Sequence, residues 1–98
     1  MIIRIVKMTF DPAHTAEFEA VFNANKEHIR AFPGCTHLEL LRDADHHNVY
    51  FTYSYWNDAA DLETYRHSEL FKATWAKTKP LFIDKPQAWS LDRLVQLS

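Results

Sequence analysis

Apolar and polar positions change period several times along this chain, and each change marks an element. Ile2–Phe10 is rich in β-branched and apolar residues and ends at Asp11-Pro12, a helix-start signal because proline suits the first helical turn. From about Pro12 to Ala31 a helix is predicted: Phe18, Val21, Phe22, Ile29 and Phe32 recur at helical spacing, and Pro33-Gly34 stops the pattern. Thr36–Arg42 reads as a strand and Asp43–Asn48 as a polar hairpin loop. Val49–Trp56 is the strongest strand, with Val49, Phe51, Tyr53 and Tyr55 on one face and Tyr50, Thr52, Ser54 and Trp56 on the other. Asn57-Asp58 caps a short helix over about Ala59–Arg66. Ser68 caps another over about Glu69–Phe82, with Phe71, Thr74, Trp75, Thr78 and Phe82 on one side. Asp84–Pro86 breaks that helix, and Gln87–Gln96 alternates as a last strand.

The order β-α-β-β-α-β is the split-βαβ, ferredoxin-like arrangement, an α+β fold with an antiparallel sheet and helices on one face. The Val49–Trp56 strand is apolar or aromatic on both faces, whereas the helices cover only one. The other face needs a cover, and a second copy of the chain supplies it, so a homodimer is expected. Phe22, Phe51 or Tyr53, and Phe71 are expected in the core.

Composition narrows the picture. A chain of 98 residues forms one domain, here 1–98, and buries about two-thirds of its extended surface. At 47% hydrophobic and 24% charged residues it is globular, and a net charge of −2 gives no basic face for nucleic acid or an anionic membrane. The single glycine, Gly34, excludes a glycine-rich phosphate loop. The single cysteine, Cys35, excludes an intrachain disulfide and a cysteine-built zinc site, reads as a small buried apolar residue, and suits a reducing cytoplasm. The opening MIIRIVKMTF carries Arg4 and Lys7 and is too short and charged for a signal peptide or a membrane span. Asp43, Asp45, His46 and His47 crowd one hairpin loop without the spacing of a metal motif, so a solvated loop and no metal site are expected.

Three stretches carry a family likeness. Phe32-Pro33-Gly34-Cys35 leading into a strand, the Tyr53–Trp56 strand end followed by Asn57-Asp58, and Tyr65-Arg66-His67-Ser68-Glu69-Leu70-Phe71 before an amphipathic helix resemble the antibiotic biosynthesis monooxygenase family. The resemblance covers nearly the whole chain. It implies a dimeric α+β barrel and an activity among cofactor-free oxygenases of aromatic polyketides, quinol monooxygenases and heme-degrading enzymes. Many members have histidine where this chain has Tyr65, and often a second where it has Leu70. The catalytic tryptophan of the heme degraders falls on Tyr65, their heme-ligating histidine on Trp75, and their first-strand asparagine near Val6 or Lys7. An indole cannot coordinate iron, so heme degradation is disfavoured.

The candidate site residues follow from polar interruptions of apolar stripes and from the resemblance. Asn25 lies between Phe22 and Ile29 on the first helix, where its amide either serves a ligand oxygen or bonds locally. The resemblance places Tyr65 and Trp75 toward a cavity between sheet and helices, where they offer stacking area, a phenol and an indole N–H. His67, near a helix start, is either a general base or a solvated turn residue. Thr74 and Thr78 either face the same cavity or bond back to their own helix. Arg4 and Lys7 point to opposite faces of the first strand and read as strand-edge charges, the alternative being that one reaches a cavity rim.

Together these residues suit a cofactor-independent monooxygenase of a phenolic, quinol or polycyclic aromatic molecule, with no cofactor and no metal. Asn25 would donate to oxygen, Tyr65 supply a phenol, His67 act as base and Trp75 form a stacking wall. Phe22, Phe71, Thr74 and Thr78 would complete the substrate pocket. The alternative is a non-catalytic dimeric domain that binds or senses a small ligand in the same cavity.

Overall fold

The structure, a computed structural model, describes residues 1–98. Its elements are β1 (Ile2–Thr9), a 3-10 turn at Pro12–His14, α1 (Thr15–Arg30), β2 (Cys35–Arg42), β3 (Val49–Trp56), α2 (Ala59–Arg66), α3 (Glu69–Thr78), a 3-10 turn at Lys79–Leu81 and β4 (Gln87–Leu91). The four strands form one sheet in the order β2-β3-β1-β4, every neighbouring pair antiparallel. This is the α+β, ferredoxin-like fold, with the helices on one face.

The caps lie where the sequence places them. The Asp11 carboxylate accepts the Ala13 N–H at 2.9 Å, Asp58 accepts from Asp61 at 2.9 Å, and the Ser68 hydroxyl accepts from Phe71 at 3.1 Å. Gly34 adopts φ 91°, and a Cβ there would overlap the Asp61 side chain of α2. Its carbonyl accepts the Asn57 N–H at 2.8 Å, so the stop after α1 also seats the start of α2.

Two elements are shorter than their patterns suggest. Helix α3 gives way to a 3-10 turn after Thr78, because Pro80 has no N–H with which to continue the α-helical ladder. Strand β4 ends at Leu91, which pairs with Ile3. Residues beyond it meet the end of β1 and have no strand left to join. Arg93 instead donates to the Tyr55 hydroxyl at 2.9 Å and lies over that ring at 4.9 Å.

Alternation decides what each face carries. Val6, Met8 and Phe10 pack on the helix side with Tyr50, Phe18 and Phe22. Ile3, Ile5 and Lys7 pair with Tyr55, Tyr53 and Phe51, on the face opposite the helices. Phe22 is therefore core, but Phe51 and Tyr53 are not: they lie half-exposed on the open sheet face. Phe71 is also only half-buried. The core falls into two clusters. One is built on Met8, Phe10, Phe18, Phe22 and Tyr50. The other is built on Cys35, Trp56 and Leu62, with Ile2, Phe32 and Tyr65 packed against it.

Candidate functional site

Strand register explains the gap between the two clusters. Across the middle of the sheet one row reads Leu38–Ser54–Arg4–Ser90, and the next reads Leu40–Thr52–Val6–Ala88. Large side chains stand in the rows at either end, Trp56 beside Ile2 and Tyr50 beside Met8. Short side chains in the middle lower the floor, and a cavity of about 340 Å³ opens between sheet and helices. That volume lies in the range of small-molecule pockets, about 300–1,000 Å³.

The walls are aromatic. Trp56 stacks on Tyr65 at 4.9 Å, Tyr65 meets Phe71 edge-on at 5.3 Å, and Phe71 stacks on Trp75 at 5.8 Å. Trp56, Tyr65, Phe71 and Trp75 all line the cavity, and Phe22 closes it from α1. Phe71 is half-buried because it faces this opening. The Trp56 indole N–H donates to the Ser54 hydroxyl at 3.0 Å, which fixes the innermost wall to the floor. Burial pushes the Tyr65 phenol up to about 12, with the nearby Cys35 thiol adding to the shift, so Tyr65 stays protonated and acts as a donor.

Of the residues singled out from the sequence, Tyr65, Trp75, Phe22, Phe71, Thr74 and Thr78 converge on this cavity. The two threonines also bond back to their own helix, Thr74 to the Leu70 carbonyl and Thr78 to the Thr74 carbonyl, each at 2.8 Å. Their hydroxyl protons are spent there, and they offer a ligand only an acceptor. Asn25 does not line the cavity; its amide donates to the Val21 carbonyl one turn back, at 2.8 Å. His67 does not line it either. It forms the C-terminal cap of α2, its side chain is 75% exposed, and its Nδ1 donates to the Glu63 carbonyl at 2.8 Å. Neither residue is placed to act as the oxygen donor or base that its position in sequence suggested.

The structure adds residues that the pattern did not single out. Thr52 and Ser54 form the floor and Arg66 brings charge to the lining; Arg4, weighed above as a strand-edge charge, reaches the lining as well. Arg4 shares its face with Val6 and Met8, so the parity of β1 carried the signal. Lys7 lies on the opposite face. No group of three or more His, Cys, Asp or Glu side chains is arranged to hold a metal ion. In the Asp43–Asn48 loop, the Asp43 carboxylate instead accepts the N–H groups of Asp45 and His46, bonds that hold its carboxyl below the ordinary range.

Comparison with solved structures places this architecture among known ones. A protein of Caulobacter crescentus described as a candidate antibiotic biosynthesis monooxygenase is 26% identical, with a TM-score of 0.89 over 96% of this chain and 90% of that one. A Pseudomonas aeruginosa protein is 24% identical, with a TM-score of 0.85 over 96% of this chain and 94% of its own. A Mycobacterium tuberculosis protein is 20% identical, with a TM-score of 0.89 over 99% and 98%. A search of curated proteins finds no match. The sequence model of the antibiotic biosynthesis monooxygenases matches residues 1–77, which contain β1 to β3, α2 and most of α3, and the chain belongs to that family.

Proposed function

We propose that the protein is a cofactor-independent monooxygenase of a flat phenolic, quinol or polycyclic aromatic molecule. The observation that carries this reading is the aromatic-walled cavity of about 340 Å³, in a chain of this family. Trp75 and Phe71 supply stacking surface, and the protonated Tyr65 hydroxyl supplies a donor. An ionised phenol can pass one electron to O₂. The phenoxyl radical and superoxide then join through a new C–O bond. The O–O bond breaks, the ring carbon loses its hydrogen as a proton, and one oxygen atom leaves as water. The sum is phenol plus O₂ giving quinone plus water. The protein's part is to hold the ring, keep water out and offer donors to the reduced oxygen.

Oxygen uptake on a panel of quinols and anthrones tests the reading. We expect one O₂ consumed per quinone formed, faster than without protein and slowed at least tenfold by Trp75→Ala. Binding of the same panel with no uptake would overturn the oxygenase reading and leave the second one, a binding or sensing domain. The absence of any carboxylate or imidazole from the pocket lining favours that second reading.

The reading also includes a second copy of the chain over the open sheet face. Supporting it, Leu41, Trp89 and Leu91 are exposed on that face, Leu41 next to Phe51 and the other two across Ile5 and Ile3 from Tyr53 and Tyr55. All 98 residues act as one domain on this reading, since β4, beyond the family match, pairs with β1 and its Ala88 lines the cavity. No helix is long and apolar enough to cross a membrane, and the free thiol of Cys35 fits a reducing, cytoplasmic setting.

A further inference from the structure

The cavity lining has a one-sided charge pattern. It contains two arginines, Arg4 and Arg66, and no Asp, Glu, His or Lys. Arg66 is neutralised by Glu63, whose carboxylate it meets at 2.6 Å. Arg4 is not neutralised. Its guanidinium donates to the Ser90 hydroxyl at 3.0 Å, a neutral partner, and it forms no salt bridge. It stands in the middle of the floor between Ser54 and Ser90, so both strand neighbours are too short to cover it. Loss of hydration and the nearby Arg66 charge both work against its proton, with Glu63 opposing them, so this cation sits in a place that disfavours cations. A partly desolvated guanidinium without a carboxylate is a stability cost that an anionic ligand would remove.

The same lining offers no proton acceptor suited to a neutral phenol. The phenol of Tyr65 is itself pushed up to about 12, and the nearest imidazole in sequence, His67, points to solvent. We infer that the ligand of this pocket is a flat aromatic that arrives already ionised, as a carboxylate or an acidic phenolate, and that Arg4 is the residue that selects it. This rests on the aromatic-pocket reading above and names its substrate class. The pocket receives the anion rather than making it. Guanidinium suits that task because its planar fork matches a pair of oxygens and its charge persists at any working pH.

Calorimetric titration at pH 7 with 1-hydroxy-2-naphthoate and with its methyl ester tests this directly. The two share a ring system and differ in charge. We expect the acid to bind at least about tenfold more tightly than the ester, the ratio a single charge-assisted hydrogen bond supplies. Arg4→Gln should weaken the acid far more than the ester and so remove the preference, whereas Arg4→Lys should retain part of it. Thermal melts confirm that each variant is folded, and the acid–ester comparison in the wild type needs no variant. Equal binding of acid and ester by the wild type would overturn the assignment, as would an Arg4→Gln variant that keeps the preference. If neither compound binds, the aromatic-pocket reading falls and takes this inference with it. If the acid binds selectively but no oxygen is consumed on the quinol panel, only the oxygenase reading fails.

Discussion

If the cavity is held open by short side chains in the middle of the sheet, filling it should stabilise the protein and weaken binding. Thr52 is the position to change. It lies on the central strand β3 between Leu40 and Val6 and faces the cavity. Leucine there replaces a hydroxyl with a carbon and adds one more. At about 0.8 kcal/mol per buried methylene the gain is about 1.5 kcal/mol, and losing the β-branch on a strand returns a few tenths. Overpacking normally costs about 1–3 kcal/mol, but a cavity of about 340 Å³ spares that cost. We expect Thr52→Leu to be about 1 kcal/mol more stable in urea melts at pH 7. It should also bind hydroxynaphthoate at least about fivefold more weakly, a change of about 1 kcal/mol, because the raised floor takes the ligand's space. A variant destabilised by about 1 kcal/mol or more would refute the reasoning, since it would mean that floor and roof already touch.

Ser54→Ala should cost about 1–3 kcal/mol in urea melts, because it strands the indole N–H of Trp56, a side chain only 1% exposed; Trp56→Phe in the same background should remove most of the coupling. Gly34→Ala should cost at least about 1–3 kcal/mol, read from the urea midpoint, because φ 91° disfavours a Cβ and Asp61 occupies its place. Tyr65 adds a pH dependence: its folded pKa is raised, so the stability it contributes is complete below pH 10 and lost as pH rises toward about 12. The wild type should therefore lose about 2–3 kcal/mol more than Tyr65→Phe between pH 9 and 12, measured by urea melts; parallel curves would show that the phenol is not buried. With a second copy over the open face, Tm should rise with protein concentration and sedimentation equilibrium at micromolar protein should give a dimer; a folded monomer would overturn that inference.

The strands and helices were legible because each rests on a local signal. Asp58 and Ser68 cap and Gly34 turns, all through contacts within a few residues, whereas the apolar pattern places the end of α3 too late, at Asp84–Pro86 instead of before Pro80. The length of β4 was not legible, because it depends on where β1 begins, more than eighty residues away. The same holds for the site. Phe71 and Trp75 could be read on one side of α3 from their helical spacing, and the family resemblance, not spacing, set Tyr65 toward the same cavity. Asn25 and His67 could not be judged so, since a polar side chain in a helix can turn to its own backbone, and both do. Arg4 was half legible. Alternation separates it from Lys7, but which face meets the helices is settled by register with β3 and β4.

The cavity and the open sheet face answer to the same shortage of core. Only 12 of the 98 residues are buried, and eight of them fall into two clusters at opposite ends of the sheet with the cavity between. A small domain has little apolar burial to spare, so a cavity at its centre must be offset elsewhere. The far side of the sheet carries apolar surface, with Trp89 at 43% and Leu91 at 42% exposure across Ile5 and Ile3 from the rings of Tyr53 and Tyr55. Covering that side restores burial without touching the helix side, because alternate residues of the same strands serve the two faces independently. Thr52 and Ser54 can stay short for a ligand while Phe51, Tyr53 and Tyr55 between them stay large for a partner. The alternation of β3 thus lets one strand carry a pocket floor on one side and, on the dimer proposed above, an interface on the other. A change on either face should shift stability while leaving the geometry of the opposite face intact.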